Sequence, residues 1–211
     1  MKIAVILGSS QAKCNDLVYQ ALTRLDSNLY EIINFGAFPE DISEFSYVEN
    51  SILISLLLSS NSVDFVVTGC SSGQGMMLAC NALPNVICGY TPTAKDAYLF
   101  GRINNGNAIS IPLGLYSYFS KKIEIESIVD ALFIEPLGLG YPKEQAHRKI
   151  VDSNLVKELY KENQKDIINL LITLETIALK KVLSKKNIIQ YITKYSDNQN
   201  LLNALARISF T

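Results

Sequence analysis

The residues of this chain best suited to chemistry sit in one short run, Gly69-Cys70-Ser71-Ser72-Gly73-Gln74-Gly75. Its glycines let the backbone approach a ligand closely. A helix expected over Met76–Asn81 follows directly, and its first N–H groups have no intrahelical acceptor, which suits an anion. A thiol at such a place can have its pKa lowered and serve as base or nucleophile. Many α/β folds carry a glycine-rich turn for steric reasons alone, so the run by itself leaves both readings open.

The other cysteines read differently. Cys80 and Cys88 stand in apolar surroundings and are expected to be inert packing residues. With 211 residues and a hydrophobic fraction of 48%, the chain can fold on its own core. Its four cysteines, Cys14 included, are therefore expected to be reduced. No His, Cys and Asp cluster has the spacing of a metal site, and neither a metal nor another cofactor is expected.

The elements that must position the run follow from hydrophobic periodicity. β-branched runs alternate with amphipathic stretches over the first ~150 residues, the pattern of a parallel sheet with helical crossovers. Strands are expected at Lys2–Leu7, Tyr30–Asn34, Val63–Thr68, Asn85–Cys88 and Ala108–Pro112. Helices are expected at Asn15–Leu25, Tyr47–Ser59, Met76–Asn81, Ala94–Arg102 and Ile123–Phe133. This predicts an α/β fold with a doubly wound, mostly parallel five-stranded sheet of Rossmann-like type. Ligands of such sheets sit beyond the carboxyl ends of the strands. Three segments reach that edge: Gly8–Lys13, Gly69–Gly75 and the loop beginning Tyr90-Thr91-Pro92-Thr93. The turn-rich Leu137-Gly138-Leu139-Gly140-Tyr141-Pro142 breaks the pattern. Helices over Asp152–Leu183 and Lys186–Ile208 are expected beyond it. The chain thus divides into an α/β domain, residues 1–150, and a helical C-terminal extension, residues 151–211.

Charge and hydropathy exclude several classes. A formal net charge of -1 with dispersed Lys and Arg gives no footprint for nucleic acid. No apolar run reaches the ~20 residues of a membrane span. The start reads as a strand rather than a signal peptide, so a cytoplasmic location is expected. A flavodoxin-like nucleotide module is disfavoured: Gly8-Ser9-Ser10 is too short for a dinucleotide fingerprint, and no acidic residue ends the second strand at Asn34.

Val66-Val67-Thr68-Gly69-Cys70-Ser71-Ser72-Gly73-Gln74-Gly75-Met76, followed by Ala79-Cys80-Asn81, resembles the core motif of the ribose-5-phosphate isomerase B and galactose-6-phosphate isomerase family. Leu83-Pro84-Asn85-Val86, Thr91-Pro92-Thr93-Ala94-Lys95 and Asn104-Asn105-Gly106-Asn107-Ala108-Ile109 extend the likeness, which runs in register from Met1 to about Asp152. The resemblance implies aldose–ketose isomerisation of a phosphorylated sugar, a pentose 5-phosphate or hexose 6-phosphate, through a cis-enediolate. It implies that Cys70 moves a proton between C1 and C2 and that Ser72 assists at the sugar oxygens. Backbone amides of Ser71–Gly75, Ser71, Gly73 and Gly75 among them, would surround the oxyanion together with Asn104. Arg148, with Lys149 and Lys143 behind it, falls near the family's basic phosphate-binding segment, and guanidinium suits phosphate. His147, the only histidine, is read as a bystander. Arg102 is a further candidate to face the anion.

This chain departs from the pattern at two places. Ser10-Gln11 stands where the family usually has Asp-His, and these residues can hydrogen-bond a hydroxyl or phosphate without carrying charge. Ile103 stands where the family commonly has the histidine credited with ring opening. Ring opening then falls to another group, to the spontaneous open-chain fraction, or lies outside this protein's task. An alternative follows, a non-catalytic or partner-dependent sugar-phosphate-binding subunit of the same fold. The resemblance also implies a homodimer or higher homo-oligomer with shared sites.

Overall fold

The computed structural model describes residues 1–41, 43–114, 118–174 and 176–209. β1 (Lys2–Leu7), β2 (Glu31–Asn34), β3 (Phe65–Cys70), β4 (Cys88–Tyr90) and β5 (Ala108–Pro112) form one sheet in the order β2-β1-β3-β5-β4. Every pairing is parallel. The expected doubly wound α/β architecture is what forms.

Strand pleating sorts the side chains onto two faces. On β1, Ile3, Val5 and Leu7 join one core cluster, while Ala4 and Ile6 join the other. On β3, Phe65 and Val67 face the first cluster, whereas Val66 and Cys70 face the second. The first cluster is covered by α1 (Asn15–Thr23), α4 (Ala94–Leu99) and α5 (Tyr118–Phe133). The second is covered by α2 (Tyr47–Ser59) and α3 (Gln74–Asn81).

α2 explains the helices that end the chain. Every residue from Asn50 to Ser59 is buried, so this helix is covered on all sides and needs a layer away from the sheet as well. α7 (Ile167–Thr173), α8 (Thr176–Leu183) and α9 (Lys186–Tyr195) supply that cover, with α10 (Gln199–Ser209) packed on α7. Their buried Leu171, Val182, Ile188, Ile192 and Leu201 share one core cluster with Leu53, Leu56 and Leu57 of α2. α6 (Ala146–Asn163) is different: it packs on the π-helical turn Phe100–Asn104 and leaves Val151, Leu155 and Leu159 about half exposed.

Several boundaries correct the sequence reading. β3 starts and ends two residues later than Val63–Thr68, because Leu7 pairs with Gly69 and Pro112 with Cys70, continuing the ladder through a glycine that reads as a breaker. β4 begins at Cys88, where the expected strand ended. The preceding Asn85 has φ 60°, and the Asn107 side chain takes the Ile87 N–H. The helix expected over Ala94–Arg102 is α-helical only to Leu99. The single long helix expected over Asp152–Leu183 is instead α6, α7 and α8. Gln164 turns extended, and Asp166 caps α7 by accepting from the N–H groups of Ile168 and Asn169.

Because Ile192 is fully buried against this shared core, Ile192→Ala is expected to lower stability by about 2–5 kcal/mol. Urea unfolding checks this, and an unchanged midpoint would show that the terminal helices do not stabilise the sheet.

Candidate active site

Cys70 is the last residue of β3, a strand paired on both sides. Its side chain points toward the α2 and α3 layer and stays 9% exposed. The chain then turns sharply. Gly114 and Leu113 donate their N–H groups to the carbonyls of Ser71 and Cys70, both at 2.9 Å. Gly73 adopts φ 72° as the N-cap of α3, which a side chain rarely tolerates. A Cβ there would also lie 2.9 Å from the Pro112 nitrogen and from the Tyr90 ring. The Ser110 hydroxyl donates to the Gly73 carbonyl at 2.7 Å, pinning the turn to β5. The first N–H groups of α3 therefore open toward the strand ends beside the thiol.

A pocket of about 560 Å³ lies over Cys70. Gly8 and Ser10 after β1, and Cys70, Ser71, Ser72 and Gly75 after β3, line one side. The loop entering α2, with Glu44, Phe45 and Tyr47, lines the other. That loop is tied to the first by two bonds: the Phe45 N–H donates to the Ser9 hydroxyl at 2.7 Å, and the Ser9 N–H donates to the Phe45 carbonyl at 3.2 Å. Ser46 and Glu49 complete a capping box, so the wall is fixed where α2 begins. Sequence reasoning missed this wall. The Ser46-x-x-Glu49 spacing before an apolar run was the available signal.

Gln11 and Ser71 come together, as the Gln11 amide donates to the Ser71 hydroxyl at 2.9 Å. Behind Gln11, the Cys14 sulfur lies 3.8 Å from its carbonyl oxygen, and Lys121 Nζ donates to that sulfur at 3.4 Å. Ser10, Ser71, Ser72, Gly73 and Gly75 thus gather with Cys70 at one end of the sheet.

Asn104 and Arg148 do not join them. Asn104 is exposed and lines a separate hollow with Ile103, Lys149 and α6 residues Asp152, Val156 and Tyr160. Arg148 is exposed on the first turn of α6, paired with Asp152 at 3.2 Å and with the Gln145 side chain at 2.8 Å. His147 is exposed beside it. The Cys70 pocket, as lined by one chain, contains no lysine or arginine among the described residues.

Arg102 does not face a ligand, which corrects that candidate role. Its side chain is 1% exposed, donates to the Leu132 carbonyl and lies 3.7 Å from Glu135. Burial lowers its pKa, against the pull of Glu135. Tyr90 touches the Gly73 turn, and Tyr141 meets Tyr98 edge to face. Tyr116 and the Tyr118 side chain lie outside the described residues.

All four cysteines are buried free thiols. The Cys88 thiol is pushed well above its ordinary pKa, first by a hydrogen bond with Cys80 and then by burial. Cys88 is shut inside the core, whereas Cys70 opens on a pocket. Brief alkylation of the native protein with iodoacetamide at pH 8 is expected to modify Cys70 before Cys80 or Cys88, as read by peptide mass spectrometry. Gly73→Ala is expected to lower stability by at least ~1–3 kcal/mol, the cost of a side chain at positive φ, in a denaturant melt.

Residues 3–152 match the Ribose/Galactose Isomerase family. A 4-deoxy-L-threo-5-hexosulose-uronate ketol-isomerase, solved with tartrate, is 33% identical with a TM-score of 0.93, each chain covered over 100% of its length. A ribose-5-phosphate isomerase from Vibrio parahaemolyticus is 30% identical with a TM-score of 0.91 over 99% of each chain. The type B ribose 5-phosphate isomerase of Trypanosoma cruzi shares the fold, with 13% identity and a TM-score of 0.64 over 77% of this chain and 100% of its own. No curated protein sequence matches the chain. With the matched region spanning the sheet, the Cys70 turn and the segment through Asn104, this chain belongs to the ribose/galactose isomerase family of sugar isomerases.

Proposed function

We propose that this chain is an aldose–ketose isomerase in which Cys70 is the acid and base. The observation carrying the proposal is a single thiol at the end of the central strand, in a pocket that Ser71, Ser72 and Gly75 of the turn into α3 also line. The Cys70 thiolate removes the proton on the carbon beside the carbonyl, giving a cis-enediolate. The resulting thiol returns that proton to the neighbouring carbon, and Ser72 moves the matching proton between the two oxygens. Nothing is consumed, because the reaction is an internal redox exchange. N–H groups of the Ser71–Gly75 turn meet the enediolate charge, an arrangement worth about 3–4 kcal/mol per well-placed donor.

The substrate in this proposal is an acidic sugar in its open-chain form. A phosphorylated pentose or hexose is the first reading, supported by membership of the family. Ile103 favours a second, a hexosulose uronate like the one named for the 33% identical relative. With no hydroxyl at C4 and a ketone at C5, such a sugar lacks the oxygens that close a furanose or pyranose ring. An enzyme acting on it has no need of the ring-opening histidine that Ile103 replaces.

The proposal includes shared sites in a homodimer. Support comes from Asn104, Arg148 and Lys149 lying outside the pocket of their own chain, and from the apolar stripe Val151, Leu155 and Leu159 at helical spacing on α6. No helix among the described residues is long and apolar enough to cross a membrane.

Pentose 5-phosphates, hexose 6-phosphates and 4-deoxy-5-hexosulose uronate, assayed with wild type beside Cys70→Ala, decide the matter. At least one sugar is expected to turn over, with kcat/KM falling about 10²–10⁴-fold in the variant. Silence across the panel in a folded protein that still binds these sugars would instead support the non-catalytic subunit. Leu155→Glu is expected to convert the dimer to monomer in light scattering and to abolish turnover. An unchanged mass would remove α6 from the interface.

A further inference from the structure

A second hollow, of about 700 Å³, lies at the opposite end of the strands from Cys70. Phe65, at the start of β3, forms part of its floor, some 17 Å along the strand from Cys70 at ~3.3 Å per residue. Leu58, Val86, Ile87 and Leu137 add apolar lining, interleaved with asparagines. The roof is cationic. Lys157 and Lys161 stand one turn apart on α6, and Lys165 follows before α7.

The charge at this hollow is unbalanced. None of Lys157, Lys161 and Lys165 forms an ion pair among the described residues. Two carboxylates also line it and keep their charge, so three lysines stand against two acids. Asp64 accepts the Lys2 N–H at 2.6 Å, and Asp166 caps α7. Lys157 has its pKa lowered by burial and then by repulsion from Lys161. An anion placed between these ammonium groups would relieve the repulsion, and an apolar body attached to it would cover the floor. Apolar walls with a few convergent charges are the usual make-up of a small-molecule site.

We propose that this hollow binds a small amphiphilic anion, an aromatic or aliphatic body carrying one phosphate or carboxylate, at a site separate from the Cys70 pocket. The proposal stands independently of the isomerase reading. The phosphate or carboxylate sits against Lys157 and Lys161, with Lys165 at the rim, and the body lies against Ile87 and Leu137, which keep part of their surface exposed.

Calorimetric titration of the full chain with 1-naphthyl phosphate, 1-naphthoate and uncharged 1-naphthol tests this. At least one anion is expected to bind, at least ten times more tightly than 1-naphthol, and the stronger of the two identifies the preferred head group. Lys157→Gln together with Lys161→Gln is expected to weaken that binding at least tenfold without moving the thermal melt, while Cys70→Ala leaves it unchanged. Binding equal in the double lysine variant, lost in Cys70→Ala, or absent for both anions overturns the proposal. A double variant that melts early is replaced by Lys157→Arg with Lys161→Arg, which keeps the charge and is expected to retain binding.

Discussion

Everything at the candidate site depends on β3 being paired on both edges and buried on both faces. A strand in that position cannot slip, because a one-residue shift would exchange Val66 and Cys70 for Phe65 and Val67 across two different cores. Its carboxyl end opens on the pocket, and Cys70 is the residue at that end. The thiol's direction is a consequence of the pleat. It faces the α2 and α3 layer, so those helices and the loops that begin them become the walls of the pocket.

The glycine turn follows from the same constraint. The chain must leave β3 and start α3 at once while staying against β5, and a left-handed residue at Gly73 makes that reversal. Ser110, Leu113 and Gly114 fasten the turn to the neighbouring strand through hydrogen bonds that involve no substrate. The turn lining the pocket is consequently held in place before anything binds, the preorganisation that the proposed chemistry draws on.

α2 links the catalytic end to the C-terminal helices. Its N-terminal capping box fixes Phe45 and Tyr47 over the thiol, and its fully buried body requires a second layer beyond the sheet. α7, α8 and α9 form that layer, so the far end of the sequence holds the pocket wall steady without touching the pocket. α6 stands apart from this packing. It bridges the π turn carrying Ile103 and Asn104 to the hollow at the other end of the strands.

Much of this was legible in the residues. Alternating apolar runs determined the five strands. The small-residue run around Cys70 determined where a ligand could approach the backbone, and the in-register likeness through Asn104 determined the family. The periodic signal failed where side-chain amides or caps override it, as at Asn85, Asp166 and the π turn after Leu99. Arg102 carried no sequence mark of its burial beneath α5, because a charged residue reads as exposed until its packing partners are known. The sequence by itself determined which strand ends carry residues that could do chemistry, because those residues follow directly on the apolar runs. Tertiary structure alone decided that Gln11 reaches Ser71, that Phe45 and Tyr47 close the pocket, and that Asn104 and Arg148 face elsewhere. Those outcomes depend on contacts between segments tens of residues apart, whose geometry exists only once both cores have packed.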